Sequence, residues 1–252
     1  MNVQNITKLR IITFDVTNTL LKTSVNKNYI DVSSKHGILL KNPDKLSSSF
    51  KKHYLLSCSK YPNFGRSGLG WENWWKNVVR NVFKDQNLQI SDEKIDEIAT
   101  DLIKHYGTNK CWEVFPGALD ILEYLYNRKI ILGVISNFDE RLETILINTD
   151  LRKYFSFILT SYIYGKEKPN ISIFNEALKL GGKKLGDRIL PEESLHIGDN
   201  IENDYNGAKN AGWNAFLMDH KYKFNEEFDN TAQCQRFKSL YELKDHFKTI
   251  LN

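Results

Sequence analysis

Four polar residues stand where an apolar run gives out. Asp15 follows residues 9–14, Ser136 follows residues 129–135, and Asp199 follows residues 194–198. Lys168 opens the helical stretch that comes after the run at 155–159. If those runs are strands of one parallel sheet, all four residues lie on the same edge, and they can converge on one crevice. Their types fit phosphate-transfer chemistry. Asp15 can attack phosphorus and form an aspartyl phosphate. A divalent cation held by Asp15 and Asp199 would offset the repulsion between carboxylate and phosphate. Ser136 can donate a hydrogen bond to a phosphate oxygen, and Lys168 can neutralise charge that develops in the transition state. Mg²⁺ is the natural cation for carboxylate oxygens combined with water and phosphate.

The elements that must position these residues alternate. Residues 9–14, 129–135, 155–159, 194–197 and 213–218 read as strands, the second as a continuous apolar run of the kind buried on both faces. Helical spacing separates them: Leu119, Leu122 and Leu125; residues 140–147; Ile171, Phe174, Ala177 and Leu178; residues 204–211 closed by Gly212; and residues 240–251. After residue 218 a loop is expected before the last helix. Strands separated by helices predict an α/β fold, a doubly wound parallel sheet of the Rossmann-like kind. Between residues 22 and 110 the pattern is helical only. Trp71, Trp74, Trp75, Val78, Val79 and Val82 recur at three and four, and Ser91 begins a capped helix carrying Ile95, Ile98 and Leu102. The expected organisation is a core of residues 1–21 and 111–252 with a helical cap, residues 22–110, inserted after the first strand.

The totals exclude several classes. A net charge of +4 over 252 residues lacks the concentrated basic face of a nucleic-acid binder. No stretch approaches the roughly 18 apolar residues of a membrane span, and residues 1–8 lack the apolar centre of a signal peptide. Cys58, Cys111 and Cys234 are widely spaced and odd in number, so they read as free thiols. A cytoplasmic location is expected, with nucleus and organelles left open. Oligomeric state has no linear signature here.

The segments Phe-Asp15-Val-Thr17-Asn-Thr19-Leu, Val-Ile-Ser136-Asn137, Lys168-Pro169-Asn-Ile-Ser-Ile-Phe174 and His196-Ile-Gly198-Asp199-Asn-Ile-Glu-Asn-Asp204 resemble the four ordered motifs of the haloacid dehalogenase-like hydrolase superfamily. The helical insert falls where that superfamily places its first type of cap. Val-Thr-Asn-Thr in the first motif and the Trp74–Trp75 pair look like one eukaryotic subgroup, the haloacid dehalogenase-like hydrolase domain-containing protein 3 group.

The resemblance implies a role for each matched position. Asp15 is the nucleophile and a metal ligand, Thr17 lends its backbone carbonyl to the metal, and Asp199 is a further ligand. Ser136 and Asn137 bind the phosphate, and Lys168 neutralises both nucleophile and phosphate. Asp204 matches the second acid of the fourth motif, which supports or joins the metal shell. Position 17 departs from the pattern: phosphatases of the superfamily carry there an Asp that protonates the leaving oxygen and then activates water. A threonine cannot carry that proton at neutral pH, and loss of a positioned acid/base costs about 10²- to 10⁴-fold.

Plainer roles stand beside these. Ser136 and Asn137 can cap the following helix, as Asp139 can, and Asp204 can cap its own. Lys166 reads as a solvated neighbour of Lys168. His196 reads as a packed core histidine, and the tryptophans as cap core. The expected function is Mg²⁺-dependent hydrolysis of a small phosphorylated metabolite through an aspartyl phosphate, slowed by Thr17. The alternatives are a catalytically silent member that binds or regulates, and a 2-haloacid dehalogenase. The dehalogenase uses the same nucleophile without metal, so the Gly198-Asp199 motif speaks against it.

Overall fold

The computed structural model describes residues 8–86, 89–220 and 234–251. The N-terminal residues 1–7 and most of the loop expected after Met218 lie outside the described residues. Six strands form one sheet: β1 (Ile11–Phe14), β2 (Ile131–Ser136), β3 (Phe157–Thr160), β4 (Ser194–Gly198), β5 (Asn214–Met218) and β6 (Arg236–Phe237). Their order is β3-β2-β1-β4-β5-β6 and every pairing is parallel. The chain steps outward from β1 to β3 and then returns to β4 on the other side of β1. That reversal is the topological switch point, where open α/β sheets bind ligands.

All four residues of β1 are buried, because helices cover both faces and each alternate side chain meets a core. On one face Ile11, Ile135 and Ala215 pack with Ile173, Phe174 and Ala177 of helix Ile171–Leu185 and with Trp213. On the other, Phe216 meets Phe237 and Phe247, the last from helix Leu240–Ile250. Phe157 lies directly over Gly133, where an added Cβ would come within 2.2 Å of the ring, so only glycine permits this strand contact. Among these strands β6 alone falls within the expected loop. Two residues are too few to show a period, and their strand character comes only from pairing with β5.

The chain divides into two compact units. One comprises Met1–Lys22, Val114–Asn137 and Asp150–Asn252, and holds the sheet. The other comprises Thr23–Glu113 together with Phe138–Thr149. It contains helices Val25–Lys35, Leu46–Lys60, Trp71–Lys84 and Asp92–Tyr106. Ser91 caps the last of these by accepting the Lys94 N–H. Trp74 is fully buried there and donates to the Ser57 and Tyr61 carbonyls. The half-buried Trp75 donates to Asp139 at 2.8 Å, and Arg141 closes a two-pronged pair on the same carboxylate. Asp139 also accepts the Arg141 backbone N–H, but helix Leu142–Asn148 starts from Arg141 with no side-chain cap, so Asp139 is held in a buried ion pair and does not cap the helix as expected. No helix among the described residues is long and apolar enough to cross a membrane.

Candidate active site

The parallel register delivers the four sequence-selected residues to one edge of the sheet unit. Phe14 lies beside Val134 of β2 and Ile197 of β4, so Asp15 follows next to Ile135 and Gly198. The Asp15 N–H donates to the Ile197 carbonyl at 2.8 Å, which carries strand pairing up to the carboxylate itself. Beyond it the chain turns back on itself. The Val16 carbonyl accepts from the N–H groups of Leu20 and Leu21, and Asn18 adopts a left-handed conformation that asparagine tolerates better than most residues. Thr17 is half-buried on this turn. His220 pins it from β5's end, with Nε2 at 3.0 Å from the Thr19 carbonyl and its ring stacked on Phe115.

Lys168 is the centre of the charge network. Its Nζ donates to Asp15 Oδ1 at 2.8 Å, to Asp204 Oδ1 at 2.5 Å and to the Ile135 carbonyl at 2.7 Å, while only 3% of the residue is exposed. All three ammonium protons are thereby used. The backbone of Lys168 is held as firmly. The Asn137 side chain accepts its N–H at 2.8 Å and donates to its carbonyl at 2.9 Å, so both ends of that amide face Lys168. Ser136 ends β2 almost fully buried, and its side chain acts to lower the Asp15 carboxyl against the effect of burial.

Asn200, not Asp204, caps the helical segment of the fourth motif. The Asn200 side chain accepts the N–H groups of Glu202 and Asn203, and the chain then winds as a π-helix over Ile201–Asn206 and an α-helix over Gly207–Asn210. Asp204 sits one turn further on, buried, and its Oδ2 accepts the Asn200 N–H at 2.9 Å. A Cβ on Gly198 would stand 2.2 Å from the Asp204 carboxyl carbon, so the glycine makes room for this carboxylate.

The electrostatics follow from burial. Burial pushes the Asp15 carboxyl up, with the Asp204 charge adding to it and Lys168 opposing. Burial would raise Asp204 as well, but Lys168 and His196 overcome that and hold it well below the usual carboxylate range. Lys168 resists its own burial through the two carboxylates and titrates above the ordinary lysine value. Asp199, with burial and then Asp15 and Asp204 acting on it, is pushed up to about 7. Removing the one cation should be costly: Lys168→Met is expected to destabilise the fold by about 3–5 kcal/mol, since it strands two buried carboxylates. Chemical denaturation reads this directly, and an unchanged midpoint would contradict the network.

Oxygen atoms of Asp15, Asp199 and Asp204 all lie within 4.8 Å of one another. An all-carboxylate donor set suits a hard divalent cation, and three acids facing one ammonium leave negative charge for such a cation to balance. A pH dependence follows. Because the folded-state value of Asp199 lies above its unfolded one, the folded chain binds more protons between about pH 4 and pH 7. Stability of the metal-free protein from this group is therefore greatest at the acid end of that window and declines as pH rises through it. A divalent cation needs the ionised acids, so its stabilising effect should grow over the same range. Thermal unfolding with Mg²⁺ or EDTA from pH 5 to pH 8 checks this; superimposable curves at every pH would contradict it.

The family model described as haloacid dehalogenase-like hydrolase matches residues 9–212. The chain belongs to the haloacid dehalogenase-like hydrolases. It is 36% identical over 254 residues to the rhythmically expressed gene 2 protein of Drosophila melanogaster, covering 95% of each chain. It is also 36% identical over 214 residues to the human haloacid dehalogenase-like hydrolase domain-containing protein 3, covering 84% of this chain and 82% of that one. Among solved structures, the HAD-hydrolase YfnB from Bacillus subtilis bound to magnesium superposes with a TM-score of 0.70 at 17% identity, over 97% of this chain and 100% of that one. A 2-haloacid dehalogenase from Pseudomonas syringae gives 0.64 at 19%, over 96% and 99%. These two likenesses are of fold.

Three features of this hydrolase site escape linear reading: the Asn137 clamp on Lys168, the cap at Asn200 and the contacts of His196. Only Asn200 carries a local signal, since an asparagine ahead of a helical stretch is a favoured cap.

Proposed function

We propose that this hydrolase is a phosphatase of small phosphorylated metabolites, using Asp15 as nucleophile and Mg²⁺ as cofactor. The observation that carries the reading is the cluster of three carboxylates around a single buried lysine at the switch point of the sheet. Asp15, the Thr17 backbone carbonyl and Asp199 would hold the ion, with Asp204 supporting the site from behind. When bound, Mg²⁺ supplies charge neutralisation for the approaching phosphate.

Asp15 Oδ1 is held by Lys168, which leaves the other carboxylate oxygen to bond to phosphorus as the leaving oxygen departs. Ser136 binds the transferred group, and Lys168 offsets its charge. Asn137 acts by fixing Lys168. With threonine at position 17, the leaving oxygen takes its proton from solvent, and water then hydrolyses the acyl phosphate without a positioned base. Good leaving groups are favoured for that reason.

A metal-free attack on the carbon of a 2-haloacid would use the same nucleophile but would leave the Asp199 carboxylate without work. The two reactions separate in one assay pair. The phosphatase reading expects Asp15-dependent release of the phenol from an aryl phosphate with Mg²⁺. Chloride release from a 2-haloacid in EDTA would replace it, and silence in both would favour a binding or regulatory role.

A further inference from the structure

His196 lies in β4 with none of its surface exposed, and no step above uses it. It is not merely packed. Its Nε2 is 3.0 Å from Asp204 Oδ1, and its Nδ1 is 2.8 Å from the hydroxyl of Thr13, on the neighbouring strand β1. The ring edge rests against Phe174, which limits its rotation. Parallel pairing places Thr13 directly beside His196, so the two side chains meet on one face of the sheet.

The donors and acceptors can be assigned. Asp204 already accepts from Lys168 and from the Asn200 N–H, so its carboxylate offers acceptors only. A bare Nε2 at 3.0 Å would set lone pair against lone pair, and the proton must therefore be on Nε2. Nδ1 is then free to accept from the Thr13 hydroxyl. Its other acceptor, the Leu195 carbonyl, lies at a longer 3.5 Å. Every acceptor position on Asp204 facing the protein is thus occupied by a donor of fixed direction: Lys168, His196 and the Asn200 backbone.

We infer that Thr13 and His196 are positioning residues: through the His196 Nε2–H they fix Asp204, and through Asp204 they fix the Lys168 ammonium against Asp15. Asp204 on this account is the anchor of the lysine. Its two oxygens are committed to protein donors, and the histidine decides which way the carboxylate faces. Packing alone would require only a ring of this volume, whereas the relay requires an N–H at the Nε2 position.

The kinetic consequence rests on the phosphatase reading, but the relay itself does not, and the test keeps them apart. Nitrogen-15 spectra of the full chain at neutral pH, with His196 assigned by difference from His196→Gln, should show a proton on Nε2 and an acceptor-type Nδ1. The Lys168 Nζ resonance should move in His196→Leu and stay near wild type in His196→Gln, whose side-chain N–H reaches the same place. An Nε2 without a proton, or a Lys168 signal unmoved by His196→Leu, overturns the inference whether or not the protein turns over phosphoesters. If wild type hydrolyses an aryl phosphate, His196→Leu should lower kcat roughly 10- to 100-fold with little change in KM. Thr13→Val should follow in the same direction, and His196→Gln should recover most of the rate. A glutamine variant as slow as the leucine variant, with an equal melting temperature, would leave only a packing role and also overturn it.

Discussion

Asp15→Asn should bring aryl phosphate hydrolysis down to the uncatalysed background, a loss of about 10⁴-fold or more by comparison with deletion of other covalent nucleophiles. Asparagine keeps the shape and can still accept from Lys168, but its amide is too poor a nucleophile to form the phosphoryl bond. The variant also separates chemistry from folding. The native carboxyl is raised by burial and by the neighbouring Asp204, so its charge is unfavourable in the metal-free fold, and a neutral amide relieves that. The unfolding midpoint without metal should therefore not fall, while stabilisation by Mg²⁺ should shrink because one ligand oxygen has lost its charge. Turnover that survives the substitution would remove Asp15 from the mechanism.

Thr17→Asp should act in the opposite direction, raising kcat on an aryl phosphate with Mg²⁺ by up to about 10²- to 10⁴-fold, the usual contribution of a positioned acid/base. Thr17 is half-buried on the turn that follows Asp15, and its backbone is bridged to Leu21, so the side chain can change without disturbing the turn. The gain should be larger for alkyl than for aryl phosphates, because a poor leaving group depends more on proton donation. The pH–rate profile should also acquire a limb from the new carboxyl. Thr17→Ala should leave the wild-type rate nearly unchanged, since a threonine hydroxyl is far too weak an acid to protonate the leaving oxygen. A Thr17→Asp variant no faster than wild type on either substrate would show that the missing group lies elsewhere.

The two variants together locate the chemistry within three residues of one strand end, and they differ in what the surrounding fold must supply. The role proposed for Asp15 depends on Lys168, 153 residues away, which meets it at 2.8 Å. Thr17 needs nothing distant except a turn held in place by His220 and Phe115.

Legibility followed the range of the interactions. Residues 9–14 and 129–135 were readable as strands because both faces of the sheet are covered there, which keeps most of their side chains apolar. Asp15 and Ser136, which end these runs, were readable because a polar residue directly after such a run lies at the sheet edge. Helix Asp92–Tyr106 announced itself through the Ser91 cap and its apolar spacing. All of these are contacts within about four residues, and they leave a period or a cap in the chain.

Other features left no such trace. β6 is two residues long and exists by pairing with β5. The amide of Asn137 could bind phosphate or cap a helix, and neither reading points to the backbone of Lys168, 31 residues on, which it holds at both ends. Asp204 could cap a helix or join a metal shell; Asn200 takes the cap, and the donors that reach Asp204, Lys168 and His196, come from elsewhere in the chain. His196 met Thr13 across 183 residues of chain. Local pattern was enough for the alternating α/β order, for the edge positions of Asp15, Ser136, Lys168 and Asp199, and for the missing acid at position 17. Tertiary structure alone decided which hydrogen bonds those side chains make, because a donor and acceptor brought together by sheet pairing need share no spacing along the chain.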